Sequence, residues 1–481
     1  MFDVVQVRSG ARVVTDSSRD ARLTAFGKAT LSDRYLLPGE SYQDMFARVA
    51  SAYADDEAHA QRIYDYISNL WFMPATPVLS NGGTTRDLPI SCFLNEASDS
   101  IEGIVGLWNE NVWLASKGGG IGSYWGNLRS IGEKVGQNGK TSGVVPFIRV
   151  MDSLTLAISQ GSLRRGSAAC YLPVSHPEIE EFIEMRRPTG GDPNRKALNL
   201  HHGLLISDAF MRAVENDEEW ALTSPKDGAV QRKVSARHLW IRILTARIET
   251  GEPYLVFVDH VNKARPEHHK LGGLEVKTSN LCSEITLPTG VDKYGKQRTA
   301  VCCLSSLILE TYLEWHEHPT FIEDVMRFLD NVLEGFIQNA GSDFARATYA
   351  AMRERSVGLG VMGFHSFLQQ NNIPLESVMA KVWNKKMFKH IRGQCDEASH
   401  KLADERGACP DAADYGIKER FSHKLAIAPT ASISIICGGA SPGIEPSAAN
   451  VYNHKTLSGS FVVRNPYLEK LLEQKGKNDE D

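Results

Sequence analysis

The spacing of apolar residues changes at about residue 71, and this change limits the possible folds more than any other feature. Before it, MFARVASAYA and AQRIYDYISNLW repeat apolar residues every three or four positions, the period of an α-helix. After it, short apolar runs alternate with helical patterns and glycine-rich turns, as in α/β proteins. The sequence therefore predicts a helical segment over residues 1–70 and an α/β domain over residues 71–481.

Size and charge exclude several classes of protein. The 481 residues are 42% hydrophobic, enough to bury a large core, and the formal net charge is only −5. No long basic or acidic block is present, so a nucleic-acid surface is not expected. No apolar run reaches the roughly 18 residues of a spanning helix, and the N-terminus lacks a signal-peptide profile. We therefore expect a cytoplasmic protein that contacts neither nucleic acid nor membrane.

The cysteines do not form a disulfide scaffold, but one of them lies in an unusual stretch. The eight cysteines are sparse and include no C-x-x-C pair, so reduced thiols packed as small hydrophobic side chains are expected. In SNLCSEI, however, Asn280, Cys282 and Glu284 alternate, and an extended backbone would turn all three to the same side. A cysteine hydrolase would need a histidine beside the thiol, and this stretch has none.

Three further stretches could contact a ligand. GLGVMG at 358–363 matches the dinucleotide fingerprint but lacks a preceding strand and a later acidic residue, so a tight turn into a helix is favoured. KGGGIGS at 117–123 either lets the backbone approach a ligand or turns a corner. APTASIS at 428–434 offers hydroxyls and backbone N–H groups to an anion, or forms an ordinary serine-rich turn.

Histidine pairs show no pattern of metal ligands. None is spaced as H-x-x-x-H or accompanied by a matching carboxylate pattern, so we expect solvated or core histidines and no metal site. The pairs are His201–His202, His268–His269 and His316/His318.

Taken together, the motifs resemble those of the catalytic large (α) subunit of ribonucleotide reductases. SCFLNEASDSIEGI, SNLCSEITLPT, AVCCLSSLIL, RERSVGLGVMGFHSFL and PTAS…GIEP occur in that family's order from about residue 70 onward. The resemblance implies a ten-stranded α/β barrel with the catalytic cysteine on an inner finger loop, preceded by the helical segment. It also accounts for the glycine fingerprint without a dinucleotide.

The resemblance gives SNLCSEI a chemical role. The cysteine that matches Cys282 becomes a thiyl radical and takes the 3′-hydrogen of a ribonucleotide. The glutamate that matches Glu284 is the general base for the 3′-hydroxyl, and it must lie within hydrogen-bond reach of that proton. The asparagine that matches Asn280 binds the sugar and helps to hold the carboxylate. A barrel interior would keep water away from the radical.

Loss of the 2′-hydroxyl needs two electrons, which a dithiol supplies as it closes to a disulfide. The resemblance assigns this dithiol to Cys92 and Cys302. The adjacent Cys303 remains an alternative, although alternation along an extended strand would point its side chain elsewhere. Thioredoxin or glutaredoxin would then reduce the disulfide.

Other residues match contacts with nucleotides. The resemblance implies substrate contacts from Thr76, Ser91, Gly120 and the phosphate-loop residues Thr430, Ala431, Ser432, Ile433 and Ser434. It also implies a specificity site, within helices and loops at about 95–200, where a deoxynucleotide or ATP effector binds at a homodimer interface. The matching residues are Asp99, Ser100 and Arg129, and SQGSLRRG at 159–166 resembles the loop that relays effector identity.

The sequence departs from the family pattern at both ends. No ATP-cone precedes the ATP tripeptide at 75–77, which predicts no overall switching by ATP and dATP. After GIEP the chain is short, and the last barrel strands, a tyrosine pair and a terminal cysteine pair are not seen. We expect either a truncated or split polypeptide, completed by a C-terminal fragment, or a minimal branch of the family.

The stretch HKTLSGSFVVRNPYLEKLL near the C-terminus resembles class I chains more than class II chains. The expected activity is therefore reduction of ribonucleoside diphosphates for DNA synthesis, with the radical supplied by a ferritin-like, metal-bearing small subunit. Two alternatives stay open. A class II enzyme would make the radical with adenosylcobalamin, and a non-catalytic fragment would act only with a second chain. A virus-encoded chain would act in the host cytoplasm.

Overall fold

The expected helical segment at the N-terminus is confirmed. A computed structural model describes residues 11–86, 88–137, 139–160, 164–456 and 459–478. The first elements are a 3-10 helix (Ser17–Arg22), α1 (Ala25–Arg34), α2 (Tyr42–Ala52), α3 (Glu57–Ser68), the strand β1 (Phe72–Pro74) and α4 (Thr76–Asn81). Met45 and Val49 on α2, and Ile63 and Ile67 on α3, are fully buried at helical spacing. The boundary at residue 70 stays a prediction.

The first half of the α/β domain is a parallel sheet with helical crossovers. Its elements are β2 (Cys92–Glu96), α5 (Ile101–Ser116), β3 (Gly120–Tyr124), β4 (Lys134–Val135), β5 (Gly139–Lys140), α6 (Val144–Ala157), β6 (Ser159–Gln160), β7 (Arg164–Arg165), β8 (Ser167–Pro173), α7 (Ile179–Glu184), a 3-10 helix (Pro193–Arg195), β9 (His201–Ile206), α8 (Asp208–Glu215), β10 (Glu219–Thr223), β11 (Val230–Ser235), α9 (Ala236–Thr250) and β12 (Tyr254–Phe257). Strands β12, β9, β8, β3 and β2 are adjacent in that order and parallel. Their register aligns Cys92, Gly120 and Ser167 in one row across the sheet.

The second half contains a smaller sheet and the longest helices. Its elements are α10 (Val258–Lys263), α11 (Glu267–Leu271), β13 (Gly290–Val291), β14 (Gln297–Arg298), β15 (Ala300–Cys302), β16 (Leu304–Ile308), a 3-10 helix (Leu309–Thr311), α12 (Tyr312–Trp315), α13 (Phe321–Asn339), a 3-10 helix (Ser342–Phe344), α14 (Ala345–Glu354), β17 (Gly358–Met362), α15 (Phe364–Gln370), α16 (Val378–Arg406), α17 (Pro410–Ala413), α18 (Ile433–Ile436), β18 (Val451–Thr456), β19 (Gly459–Arg464) and α19 (Pro466–Gln474).

Residues 300–308 join the two sheets into a barrel wall. β15 pairs antiparallel with β2, and β16 pairs parallel with β17 and antiparallel with β1. A further bridge connects Leu359 on β17 to Leu425. Among the described residues these two sheets contain six and three strands, so together they have one strand fewer than the ten-stranded pattern. The α/β barrel architecture itself agrees with the expectation.

The helices are amphipathic because one face of each packs into the core beside the sheets. Val325, Leu329, Val332 and Phe336 form one buried face of α13 at spacings of three and four. Burying each such side chain contributes roughly 1.5–3 kcal/mol. Within the described ranges, no helix combines the length and apolarity that crossing a membrane would require.

The glycine fingerprint forms a strand, so the predicted tight turn is wrong for most of its length. Gly358–Met362 is the fully buried β17, and only Gly363, with a φ of 79°, turns the chain into α15. A Cβ on Gly360 would collide with the carbonyl oxygen of Ala426. The glycines therefore serve close packing of neighbouring segments inside the barrel.

Candidate active site

The loop that carries Cys282 is a tight turn, so the predicted extended backbone is wrong. The N–H of Ser283 donates to the carbonyl of Asn280 over 3.2 Å, and Ser283 has a φ of 66°. This left-handed conformation costs a non-glycine residue roughly 1–2 kcal/mol. Two of the three predicted side chains, Asn280 and Glu284, still meet, because the turn folds the chain back. Nδ2 of Asn280 donates to Oε2 of Glu284 over 2.8 Å.

Buried hydrogen bonds hold this loop against the parallel sheet. The hydroxyl of Tyr171, on β8, donates to the carbonyl of Asn280 over 2.6 Å. Oδ1 of Asn280 accepts from the N–H of Ile285 over 3.1 Å, and the hydroxyl of Ser279 donates to the Ile285 carbonyl over 2.6 Å. With both oxygens of Asn280 occupied, its amide has one orientation, and that orientation fixes the position of Glu284.

Two glycines of KGGGIGS make room for the loop. Gly120 and Gly122 alternate on β3 and therefore face the same side of the sheet. A Cβ on Gly122 would collide with the carbonyl of Ser279 and lie 2.8 Å from Cα of Asn280. A Cβ on Gly120 would lie 3.3 Å from Sγ of Cys92. Of the two interpretations of this stretch, the close approach of backbone is the one that the geometry fits.

The two reactive groups of the loop lie in different environments. Cys282, at the turn, is exposed, whereas Glu284 is partly buried. Burial raises the pKa of Glu284 above the ordinary glutamate value, and the hydrogen bond from Asn280 opposes this shift. A carboxylate with a raised pKa is a better proton acceptor at neutral pH.

Cys92 and Cys302 are direct cross-strand partners in the β2–β15 pair, where Cβ atoms lie about 4.5–5.5 Å apart. The thiol of Cys303 points away from this pair and lies 3.7 Å from the carbonyl of Leu329 on α13. Burial, assisted by the neighbouring Cys92, raises the pKa of Cys302 well above the ordinary thiol value. Nδ2 of Asn280 lies 3.5 Å from Sγ of Cys92, which connects the thiol pair to the loop.

Two expected substrate residues from distant parts of the chain line one cavity. Thr76, in the first turn of α4, and Ser432 contribute to a cavity of about 150 Å³. Its other polar and charged lining residues are Arg34, Tyr35, Ser80, Asn81 and Lys117. The carbonyl of Ser91 accepts from the N–H of Gly120 over 2.8 Å, so this pair also lies together. Hydroxyls beside two cationic side chains suit an anionic group.

The phosphate-loop residues surround the start of the short helix α18. Thr430 has a φ of 49°, and its Oγ1 accepts from the N–H of Gly443 over 2.9 Å. Its carbonyl accepts from the N–H of Ser434 over 2.9 Å. The side chains of Ala431 and Ile433 have no polar atoms, so only their backbone N–H groups could contact a bound anion.

The expected effector residues lie together at the N-terminal end of α5. Asp99 accepts from the backbone N–H of Arg129 over 3.2 Å and from its Nε over 2.8 Å. The hydroxyl of Ser100 accepts from the N–H of Gly103 over 2.9 Å and caps α5. Of the expected relay loop at 159–166, residues 161–163 and the side chains of 159–165 lie outside the described part of the chain.

Sequence analysis missed Gly122, Tyr171 and Ser279 as residues that position the site. The alternation of Gly120 and Gly122 in KGGGIGS is a signal that could have found the former, because two glycines two apart share one face of a strand. Tyr171 gives no such signal, since its contact with Asn280 depends on how β8 packs against a loop more than a hundred residues away.

This fold and site define a thiol-dependent enzyme of the α/β-barrel class. Comparison with known families agrees: a model described as "Ribonucleotide reductase, barrel domain" matches residues 90–419 and 410–481. A second, "Ribonucleotide reductase, all-alpha domain", matches residues 21–87. The chain therefore belongs to the ribonucleotide reductase large-subunit family.

Similar proteins support this assignment. The ribonucleoside-diphosphate reductase large subunit of Invertebrate iridescent virus 3 is 39% identical, over 96% of this chain and 80% of its own length. The large subunit of Danio rerio is 31% identical over 96% of this chain and 65% of its own length. The Actinobacillus ureae class Id ribonucleotide reductase alpha subunit superposes with a TM-score of 0.83 at 31% identity, covering 97% of this chain and 81% of that one.

These findings confirm the expected family, fold class and enzyme type. The chain is a ribonucleotide reductase large subunit, and its likeness to a class I alpha subunit supports class I over the adenosylcobalamin-dependent class II alternative. A large subunit also implies a small-subunit partner and a nucleotide substrate.

Proposed function

We propose that this chain reduces ribonucleoside diphosphates, the substrates named for its relatives, through Cys282, Glu284 and the Cys92–Cys302 pair. The observation that carries the proposal is the position of Asn280. Its Nδ2 lies 2.8 Å from the Glu284 carboxylate and 3.5 Å from the Cys92 thiol. One amide thus links the base to the reducing pair, and both must act on the same ribose.

The proposed reaction regenerates Cys282 and Glu284 and oxidises the Cys92–Cys302 pair. A thiyl radical at Cys282 takes the 3′-hydrogen, and Glu284 accepts the proton of the 3′-hydroxyl. The 2′-hydroxyl leaves as water. Cys92 and Cys302 supply two electrons and two protons, one proton to the departing water and one to C2′, and close to a disulfide. Glu284 then returns its proton to the 3′-oxygen, and Cys282 returns its hydrogen to C3′. Ribonucleotide and dithiol become deoxyribonucleotide, disulfide and water.

The raised pKa of Cys302 supports this role for the dithiol. A thiol that stays protonated at neutral pH can deliver hydrogen to a substrate intermediate, whereas a thiolate can deliver only electrons. The facing positions of Cys92 and Cys302 favour this pair over one that includes Cys303, whose thiol points into the core.

For the substrate diphosphate we propose the cavity of Thr76 and Ser432. Arg34 and Lys117 line the same cavity, and their charges complement phosphate. Ser91 and Gly120 would contact the sugar end, since both lie next to Cys92. The backbone at Thr430, Ala431, Ile433 and Ser434 would support the phosphate contact.

For regulation we propose an effector site at Asp99, Ser100 and Arg129, occupied by a deoxynucleoside triphosphate or ATP. Helices α5 and α6 next to it expose an apolar face. We call it the dimer face and define it by Ile101, Val105, Trp113, Val150 and Leu156, with exposures of 41–66%. Apolar patches of this kind mark interfaces, and we propose that a second copy of the chain covers it.

The radical source and the reductant are also proposals. We propose that the small-subunit partner is a ferritin-like protein whose metal centre generates the radical, and that thioredoxin or glutaredoxin reduces the Cys92–Cys302 disulfide. Both partners suit a reducing compartment, and we propose that the chain acts in the cytoplasm.

The test is a reconstituted assay with a class I small subunit from a relative, CDP, dithiothreitol and effector. Wild type should form deoxycytidine diphosphate, whereas Cys282→Ser and Glu284→Gln should form none while binding CDP with unchanged affinity. A serine hydroxyl cannot carry the radical, so turnover near wild type in Cys282→Ser would contradict the mechanism.

A further inference from the structure

A cluster of two histidines and a glutamate lies beside the active site, with His269 and Glu354 buried and His423 partly buried. The three residues are His269, His423 and Glu354. Each offers one ligand atom, a ring nitrogen or a carboxylate oxygen, and these three atoms lie within 4.8 Å of one another. In the described part of the chain, this is the only group of three such residues close enough to hold a metal ion. The nucleotide chemistry proposed above uses none of them.

Three polar atoms of this cluster lack the partners that buried groups normally have. His269 is 0% exposed, yet neither of its ring nitrogens has a hydrogen-bond partner among the described residues. Glu354 is 1% exposed, and its Oε1 is also unpartnered. Each unpaired buried polar group costs about 1–3 kcal/mol. Such a cost at three neighbouring atoms indicates a binding partner rather than a packing accident.

Ser356 leaves the remaining ligand atoms available. Its hydroxyl lies 3.1 Å from Oε2 of Glu354 and 3.1 Å from Nδ1 of His423. A hydroxyl has only one proton, so if it donates to the carboxylate it accepts from Nδ1–H of His423. That tautomer leaves Nε2 of His423 with its lone pair, as metal-ligating histidines require.

The charges around the cluster favour a cation over an anion. Asp411, 3.8 Å from Nε2 of His269, is already paired with Arg298 and Arg353, whereas Glu354 forms no ion pair with a lysine or arginine among the described residues. A divalent ion would stabilise the carboxylate in this apolar setting, and neutral imidazoles are the form that binds metal.

We propose that His269, His423 and Glu354 bind a divalent transition-metal ion, Zn²⁺ in the first instance. Two imidazoles and one carboxylate form a known zinc-ligand set that leaves a fourth position for water. Two ligand atoms about 2.1 Å from one ion can be at most about 4.2 Å apart, so the side chains must close by roughly 0.6 Å or more.

The ion would fasten together the segments that shape the active site. His269 lies on α11, which leads into the Cys282 loop, and His423 precedes the phosphate loop. The backbone already joins the segment that follows Glu354 to the His423 segment, because the N–H of Val357 donates to the His423 carbonyl over 2.9 Å. A small cavity of about 40 Å³ is lined by His423 together with Glu284 and Cys302. The site is therefore a structural clamp next to the reacting groups.

The experiment uses the isolated large subunit, so that no small-subunit metal interferes. After dialysis against a chelator, Zn²⁺ alone is added, and bound metal and melting temperature are measured. We expect one zinc per chain and a rise in melting temperature, because an ion that binds only the folded state stabilises it. His269→Gln and Glu354→Gln should weaken zinc binding about 100-fold or more.

The matched control is His268→Gln. His268 is the adjacent buried histidine, but its Nε2 is bonded to Ser422 Oγ at 2.8 Å, so this variant should bind zinc as wild type does. Since Cys282, Cys92 and Cys302 could also take up zinc, X-ray absorption supplies a second readout that does not depend on the variants folding. Nitrogen and oxygen at about 2.0–2.1 Å support the proposal, and sulfur at about 2.3 Å overturns it. No zinc in the wild type, or equal binding in all variants, also overturns it.

Discussion

At the scale of single residues, the site depends on Asn280. Its backbone carbonyl binds Tyr171, its Oδ1 binds Ile285, and its Nδ2 reaches both Glu284 and Cys92. A side chain with every polar atom engaged is held in one orientation. The same amide therefore sets the position of the proposed base and tunes its pKa.

We expect Asn280→Ala to move the acid limb of the pH–rate profile upward. Glu284 acts as a base only when ionised, so activity is lost as pH falls through its pKa. Burial has raised that pKa, and the Asn280 hydrogen bond lowers it. Removing a bond to a charged group, worth about 1.5–3 kcal/mol, should shift the limb up by about one to two pH units.

The control for this change is Ser279→Ala. Ser279 bonds the Ile285 carbonyl and not the carboxylate, so the limb should stay in place even if the rate falls. The measurement is kcat/KM for CDP against pH. An unchanged limb in Asn280→Ala would show that this bond does not tune Glu284.

A second residue-scale prediction separates the two neighbouring thiols. Cys302→Ser should reduce multiple turnover about 10³-fold, since the facing pair can no longer close to a disulfide. Cys303→Ser should keep activity within about threefold, because its hydroxyl can bond the Leu329 carbonyl in place of the thiol. Product formed per chain with dithiothreitol is the measurement. Equal losses in the two variants would argue against the assignment of Cys302.

At the scale of elements, a strand with glycine at two positions that face the loop, Gly120 and Gly122, supports a strained loop. β3 presents Gly122 directly to Ser279 and Asn280, and the loop above it contains a left-handed Ser283. The strand is rigid because it pairs in parallel with β2 and β8. Contact with a rigid strand keeps the loop in a conformation that it would not adopt alone.

Gly122→Ala should therefore lower kcat by about 100-fold or more while the chain stays folded, because a misplacement of about 1 Å has that effect on catalysis. A Cβ there meets backbone atoms, which cannot move without displacing Asn280. Circular dichroism and steady-state turnover are the measurements. A variant with normal kcat would show that the loop does not depend on this contact.

Gly393→Ala in the middle of α16 is the matched control. A Cβ there meets nothing within 4 Å, and alanine is the better helix former by about 0.5–1 kcal/mol. This variant should keep full activity and melt at a slightly higher temperature. A loss of activity here as well would mean that the Gly122 result reports general damage.

At the scale of the whole molecule, the dimer face lies beside the proposed effector site. Ser100 caps the helix that carries Val105 and Trp113, so an effector bound at Asp99 and Arg129 would lie close to a second copy of the chain. A contact between two copies at this position would allow an effector bound to one copy to influence the other copy across the interface.

Val105→Glu should weaken self-association at least about tenfold, since burying a charge in an apolar interface costs more than about 1.4 kcal/mol. It should also abolish the effector response of the enzyme. Ile248→Glu, at a position 87% exposed on α9, is the control and should sediment as wild type does. Sedimentation velocity with and without dATP is the measurement. Identical sedimentation of the two variants would contradict the proposal that the dimer face is an interface between two copies.

Sequence reasoning predicted the elements better than it predicted local conformation. The N-terminal helices follow from apolar spacing, and the residue types at 280, 282 and 284 follow from chemistry. The prediction that SNLCSEI is extended was wrong, because alternation in sequence does not distinguish an extended strand from a turn whose ends are held by other segments. The prediction of a tight turn at GLGVMG was wrong for a related reason. Its glycines allow β17 to pack closely against neighbouring segments, and the local sequence does not indicate that packing.

By itself, the sequence determined the chemistry of this protein. Its motifs identify the family, and its thiols, carboxylate and hydroxyls fix what the site can do. Only the tertiary structure decided which groups meet: Cys92 with Cys302, Thr76 with Ser432, and His269 with Glu354 and His423. The physical reason is that contacts between distant segments form only when the whole barrel packs, and the entropy lost in closing such long loops is repaid by that packing and not by local propensity.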